Sequence, residues 1–131
     1  MNVVANICEI PLRFKAGNVS VWILVNESGY RESSKVISVE AVSSYLAEHP
    51  HLVKAWLLYS DDKRVSSGWF LAERAADAFE VGHYPKGKTL SFSDRYRACA
   101  EFIIREVGSV SNREDPLQVS GDIVNTPRSG K

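Results

Sequence analysis

The strongest constraint on the fold lies in residues 66–84, SSGWFLAERAADAFEVGHY, which precede an amphipathic helix. Residues 65–72 and residues 78–84 alternate with the period of a β-strand. Residues 73–77 between them have the length of a hairpin loop. Gly82 marks either a bulge or a place where a bulky ring lies over bare backbone. We therefore predict a β-hairpin at this point of the chain.

The helix after the hairpin has the clearest periodicity in the chain. Its apolar stripe consists of side chains at spacings of four, three, four and four residues: Phe92, Tyr96, Cys99, Ile103 and Val107. Ser91 or Ser93 is the expected N-cap, with Asp94 in the first turn. Gly108 fits the residue that follows a helix C-terminus. We expect this helix to pack against the hairpin.

The N-terminal part of the chain also predicts strands. Residues 3–14 alternate well enough for a strand, which Pro11 ends, bulges or places at an edge. Residues 19–25, VSVWILV, are β-branched and apolar on both faces, which favours a strand that is covered on both sides or under a helix. The turn signal at residues 16–18 joins the two segments, so we expect a second hairpin.

Two helices are predicted between the hairpins. Ser38 is a good N-cap, and the first helix should end near His49 because the residue before a proline avoids the helical region. Pro50 suits the first turn of the second helix. The stripe of the second helix includes Leu52, Val53, Trp56 and Leu57. Residues 39–60 are therefore predicted to form two helices bent at their junction.

The resulting element order is ββ-αα-ββ-α, and the predicted fold class is α+β. Because strands come in adjacent pairs, we expect an antiparallel sheet of two hairpins with helices packed on one face. Residues 1–110 should form one domain, since 131 residues suit a single core. Residues 111–131 are polar and are predicted to be a tail, partly docked or mobile, with residues 117–119 and 123–124 as its apolar contacts.

Composition argues against several classes of protein. Lys plus Arg and Asp plus Glu number 16 each, so the basic excess of a typical nucleic-acid binder is missing. The first residues show neither the basic nor the apolar part of a signal peptide, and apolar runs are far shorter than the roughly 20 residues of a membrane span. The two cysteines do not make a disulfide framework. We expect a cytoplasmic protein with reduced thiols.

Motifs of catalysis and metal binding are missing from the sequence. His49, His51 and His83 do not follow the spacing of a metal site, and nucleophile-elbow and phosphate-loop patterns do not occur. Cys99 lies on an apolar stripe and is expected to be a buried hydrophobe, as is Cys8. The competing interpretation of Cys99 is a nucleophile activated by His83, although apolar burial raises a thiol pKa. We expect no cofactor and no metal.

A group of packing motifs resembles the small immunity proteins that bacteria encode beside polymorphic toxins. The motifs are Ser67-Gly68-Trp69-Phe70 on a strand, Val81 to Pro85 at a strand end, and Ala98-Cys99-Ala100 with Phe102 and Ile103 on a helix. The resemblance covers residues 38–107 and implies a cytoplasmic, non-enzymatic protein that binds and neutralises a toxin. It transfers no binding residue, because such proteins place their toxin contacts on variable surfaces.

The leading hypothesis is therefore a toxin-binding protein, with a nuclease as the expected toxin. A local acidic patch would meet the basic surface of a nuclease even in a chain of zero net charge. The candidate partner-binding residues lie at the edges of the central hairpin: Asp61, Asp62, Glu73 and Asp77. The partner is then a protein, with no direct contact to nucleic acid or membrane.

Two alternatives come from other classes of function. One is a ligand-binding domain or small enzyme with a pocket between sheet and helices, in which His83, Tyr84 and Cys99 are the polar groups. The other is a structural subunit that dimerises through an open edge strand at residues 19–25. A cavity that holds the three polar groups together would favour the first, and a long uncharged edge would favour the second.

Overall fold

The structure is a computed structural model that describes residues 2–17, 20–63, 68–84 and 87–112. Within these residues the fold is α+β, with seven α-helices and a three-stranded antiparallel sheet. The helices are α1 (Val3–Cys8), α2 (Ile10–Ala16), α3 (Val21–Ser28), α4 (Tyr30–Ser33), α5 (Val39–Glu48), α6 (His51–Lys63) and α7 (Arg95–Ser111). The strands are β1 (Gly68–Ala75), β2 (Ala78–Tyr84) and β3 (Leu90–Phe92), and a short 3-10 turn spans Ser34–Val36.

The predicted N-terminal hairpin is wrong, because Val3–Cys8, Ile10–Ala16 and Val21–Ser28 are helical. Side-chain caps begin two of these helices: the Asn2 side chain accepts from the Ala5 N–H, and Ser20 Oγ accepts from the Ile23 N–H. Pro11 lies in the first turn of α2, where its missing N–H leaves no helical hydrogen bond unmade. The element order ββ-αα-ββ-α and the proposed edge strand at residues 19–25 fail with this hairpin.

The central hairpin is confirmed at residues 68–84, but its loop is shorter than the predicted residues 73–77, because β1 continues to Ala75 and only residues 76–77 lie between the strands. In the antiparallel register of β1 and β2, Leu71 lies opposite Val81 and Phe70 lies opposite Gly82. The Phe70 ring lies over the bare backbone of Gly82. Of the two interpretations of this glycine, a bulge or a close approach of a ring, the second is therefore correct. Strand β3 extends the sheet on the far side of β2, with Phe92 opposite Phe79, and was not predicted.

The two middle helices and the last helix are confirmed, with corrections at the ends of α7. Ser38 Oγ accepts from the Ala41 N–H at the start of α5, and the chain breaks at His49 and Pro50 before α6. Asp94, rather than Ser91 or Ser93, is the N-cap of α7. Helix α7 continues through Gly108 to Ser111, so Gly108 is not its terminator. Of the predicted tail, residues 111–131, Ser111 is the last residue of α7 and residues 113–131 lie outside the described residues.

Helix α7 is the centre of the packing. It contacts all three strands on one face of the sheet and also contacts α3, α5 and α6. Its buried side chains include Cys99, Phe102 and Ile103, which meet Phe79 and Val81 in one continuous core. In the described parts of the chain, no helix is both long enough and apolar enough to cross a membrane.

Candidate functional site

Three of the four predicted partner-binding residues have described side chains, and all three are exposed. Asp61 lies in the last turn of α6, Glu73 lies on β1, and Asp77 lies in the turn between β1 and β2. The side chain of Asp62 lies outside the described part of the structure. The three described acidic side chains therefore lie at the surface, on α6 and on the hairpin of β1 and β2.

One hydrogen bond brings the α6 part of this surface against the hairpin. Ser60 Oγ accepts from the Leu71 N–H at 2.8 Å, and both residues are buried. Asp61 directly follows Ser60, and Glu73 lies two residues, or about 7 Å, beyond Leu71 along β1. Asp61 and Glu73 thus lie on elements that are held together.

Of the polar groups of the alternative pocket, His83 and Cys99 have separate environments, and the side chain of Tyr84 lies outside the described part of the structure. Cys99 is completely buried on α7, and burial raises its thiol pKa well above the ordinary value. Burial likewise raises the pKa of Cys8 to about 12. The His83 ring meets Trp69 edge to face at 5.0 Å, and Arg105 of α7 lies 5.0 Å from the Trp69 ring centroid. In the folded chain both thiols are therefore packing groups, and Trp69 links the sheet to α7.

An apolar groove between α2 and α6 is the best candidate for a binding site. It encloses about 470 Å³, within the range of ligand sites. Its apolar walls are formed by side chains of α2 and α6: Pro11, Leu12, Phe14, Ala55, Leu58 and Tyr59. Leu12 and Phe14 are each 42% exposed and Leu58 is 51% exposed. Large apolar side chains that stay accessible beside one another are characteristic of interaction sites.

The opposite face of α6 holds the groove in place. Trp56 is 1% exposed, and its Nε1–H donates to the carbonyl oxygen of Cys8 at 2.8 Å. Leu52 and Val53 are buried in the same core. Since Cys8 ends α1 just before α2 begins, this bond fixes the start of α2 against α6. The groove is thus bounded by anchored helices.

Tyr59 forms the inner end of the groove and connects it to α7. Its ring meets Phe14 edge to face at a centroid distance of 6.2 Å. Its hydroxyl donates to Glu106 Oε2 at 2.7 Å, and Glu106 is 1% exposed. The hydroxyl of Tyr59 is therefore engaged by the fold, and its ring faces the groove as an apolar surface.

Charged side chains give the groove a polarity along α6. His51 and Lys54 line it near the start of the helix, and both are exposed. Asp61 lies on the same face of α6, one turn beyond Leu58, because residues 54, 58 and 61 follow helical spacing. Among the described side chains, Lys54 has no salt-bridge partner. Along α6 the lining of the groove is therefore basic and then apolar, and the acidic Asp61 lies beyond the lining on the same face of the helix.

A network of aromatic and acidic groups lies at the joint between α5 and α6. The Tyr45 hydroxyl donates to Glu9 Oε2 at 2.6 Å, and the Tyr45 ring stacks on His49 at 4.1 Å. His49 in turn lies 6.3 Å from His51, ring centroid to ring centroid. The hydrogen bond to Glu9 is the main reason that the pKa of Tyr45 rises to about 12. Across the described residues, no group of three or more His, Cys, Asp or Glu side chains could hold a metal ion.

The groove was not predicted from the sequence. The sequence pattern predicts a strand at Leu12 and Phe14, and a strand there does not place these two side chains beside α6. The available signal was Leu58, an apolar residue next to the buried stripe of α6 but outside it. An apolar side chain off the stripe of a helix points away from the core.

Comparisons with known proteins place this chain in no family. No family model, curated protein or solved structure matches it. Its function is consequently argued from the groove and from the charges around it.

Proposed function

We propose that this chain is a non-enzymatic, cytoplasmic immunity protein that binds and neutralises a cognate bacterial toxin. The observation that carries the proposal is the apolar groove with exposed Leu12, Phe14 and Leu58. Aromatic and aliphatic anchors that lose water on binding contribute most of the energy of protein interfaces. The resemblance of the packing motifs to immunity proteins supplies the class of partner.

The acidic residues have a separate role in this proposal. Asp61, Glu73 and Asp77 are exposed, and Asp61 is next to Asp62 in the chain. Because the net charge is zero, the protein as a whole does not attract a charged partner. In this proposal, a local charged patch steers the partner instead. A patch of carboxylates accelerates encounter with a basic surface such as that of a nuclease. The apolar groove then supplies the contacts that slow dissociation.

Co-expression with the product of the adjacent gene tests the proposal. We expect this chain to protect cells from that product and to co-purify with it. The variant Leu58→Asp should abolish both, because it places a charge in the groove. Val36→Asp is the matched control: Val36 is 80% exposed, lies outside the groove and should tolerate the change. A chain that neither protects cells nor co-purifies would rule out the proposed function.

The size of the groove favours a second candidate, the binding of a small apolar ligand. A volume of about 470 Å³ accommodates a ligand of drug size. This candidate differs from the predicted pocket, since the groove lies between two helices and is lined by neither His83 nor Cys99. Extraction of the purified protein with organic solvent, followed by mass spectrometry, would reveal a bound ligand if this candidate is correct.

A further inference from the structure

We infer that the groove between α2 and α6 binds one amphipathic helix of the partner, oriented by a carboxylate at one end and a cation at the other. The inference rests on the proposed function for the identity of the partner as a protein. Three features carry it: the polar groups that the groove lacks, the spacing of side chains along α6, and the order of charges on that helix.

The lining of the groove favours a helix over an extended peptide. The polar side chains that line it are His51, Lys54 and Tyr59, and the Tyr59 hydroxyl already donates to Glu106. An extended segment would bury backbone N–H and C=O groups with too few partners, which costs free energy. A helix satisfies its backbone internally and presents only side chains, as in other complexes where a helix lies in a groove.

The spacing of side chains along α6 sets the spacing on the partner. Lys54, Leu58 and Asp61 form one ridge of α6, in which Lys54 and Asp61 are seven residues, or about 10.5 Å, apart. This distance corresponds to two turns of a docked helix. A carboxylate near Lys54 and a cation near Asp61 would therefore lie seven residues apart on the partner, with apolar side chains between them at spacings of three or four.

The order of charges on α6 supports a role in recognition. A helix is stabilised by acidic residues in its first turn and basic residues in its last turn. Helix α6 has no acidic residue in its first turn, where His51 and Lys54 lie, and Asp61 lies in its last turn. Lys63, the last residue of α6, accords with the helix dipole, but the charges on the ridge of Lys54, Leu58 and Asp61 oppose it, so helix stability does not explain them. Departures from local preference of this kind are expected at functional sites.

The probe for the test is a synthetic peptide of about 16 residues, held helical by a hydrocarbon staple on its outer face. It carries Glu and Lys seven residues apart with two Leu between them; a second peptide has Glu and Lys exchanged. Binding to the full chain is followed by NMR chemical shifts. We expect saturable changes centred on α2 and α6, and about tenfold weaker binding of the exchanged peptide. Equal affinities, or changes centred elsewhere, would overturn the inference.

A charge-exchange variant sharpens the result. Lys54→Glu combined with Asp61→Lys should reverse the preference between the two peptides. It should also raise the Tm of the protein without peptide, because it aligns the charges with the dipole of α6. The same Tm measurement would reveal a variant that does not fold. The matched control is Glu32→Lys with Lys35→Glu, an exchange of exposed charges elsewhere that should leave the preference unchanged. An unchanged preference in the α6 variant would contradict the proposed orientation.

The outcomes for the groove and for the proposed function are separable. Selective peptide binding without protection from the toxin would leave the groove assigned and the toxin proposal rejected. Protection from the toxin without selective peptide binding would keep the function and reject the groove. Displacement of the peptide by a medium-chain fatty acid at lower concentration would assign the groove to a small ligand and overturn the inference.

Discussion

At the scale of single residues, the hydrogen bond between Tyr45 and Glu9 ties helix α5 to the junction of α1 and α2. Tyr45 Oη lies 2.6 Å from Glu9 Oε2, and Glu9 stands between the two helices. Because the phenol donates to a carboxylate, the folded state favours the protonated tyrosine. The same tyrosine stacks on His49 at the start of the break before α6. One side chain thus joins three helical segments.

The first prediction concerns the ionisation of Tyr45. Its pKa in the folded state, about 12, lies above the ordinary value of 10.0, so its contribution to stability is complete below about pH 10 and is lost as the pH rises towards 12. An absorbance titration of tyrosinate should show a component near pH 12 that Tyr45→Phe removes. The variant should also lower the free energy of unfolding at neutral pH by about 1 kcal/mol.

Burial also raises the pKa of Tyr30, and the Tyr59 hydroxyl donates to Glu106, so the variant Tyr45→Phe, rather than the other tyrosines, identifies the component of Tyr45. The curve of Tyr45→Phe should match the wild-type curve except for the missing component. A wild-type curve that already lacks a late component would show that the bond to Glu9 does not persist in solution.

At the scale of secondary-structure elements, the pair Phe70 and Gly82 fixes how β1 and β2 fit together. An ideal Cβ on Gly82 would lie 2.7 Å from Phe70 Cζ and 2.8 Å from Phe70 Cε2. The two residues are directly opposite in the register of the hairpin. The glycine is therefore required for the close approach of the ring.

The second prediction follows from this close approach. Gly82→Ala should displace the Phe70 ring and destabilise the protein by about 1 kcal/mol, the clash outweighing the gain from a less flexible unfolded chain. Urea unfolding at equilibrium measures the effect. In a Phe70→Leu background the same change should cost clearly less, because the two residues are coupled. Equal costs in both backgrounds would mean that the ring is not what excludes a side chain at this position.

Element type was predictable where capping and periodicity agreed. The Ser38 cap, the break at Pro50 and the stripe of α7 each combine a local signal with long helical spacing, and all three are present in the structure. Residues 19–25 are rich in β-branched residues, which favour strands, but their apolar positions do not repeat with a period that separates a strand from a helix. A short apolar run suits a buried helix equally well. There the Ser20 cap and the packing of Leu24 and Val25 decide the outcome.

The N-terminal segment shows how one pattern supports two structures. Alternation predicted a strand, yet Val3, Val4, Ile7 and Cys8 also form a helical stripe. Propensity and alternation over so few residues are weak compared with tertiary packing. The groove depends on this segment, since α2 is one of its walls. The exposure of Asp61, Glu73 and Asp77 was predictable because carboxylates lie mostly at the surface, although Asp61 is on α6 and Glu73 is on β1 rather than in loops. The groove required the correct placement of α2.

At the scale of the whole molecule, the two cysteines report on whether the N-terminal helices belong to the same cooperative unit as the sheet. Cys8 lies on α1 and Cys99 lies on α7, and both are 0% exposed. The carbonyl of Cys8 accepts from Trp56 Nε1, which ties α1 to α6. Helix α1 also contacts α5 and α7. These contacts make separate opening of α1 unfavourable.

The third prediction is that both thiols become reactive only when the whole domain unfolds. Burial raises the pKa of both thiols, so they stay protonated as well as inaccessible in the native state. Labelling with iodoacetamide, followed by mass spectrometry of each cysteine peptide, should give equal and slow rates that rise together with urea. Labelling in concentrated urea controls for intrinsic reactivity, because there the two rates should be equal and fast.

A Cys8 that reacts well ahead of Cys99 in the native protein would show that α1 opens separately from the core around α7. Since the Trp56 bond at Cys8 positions α2 beside α6, such opening would also disrupt the groove, and shared protection of the two thiols is therefore what a stable groove requires.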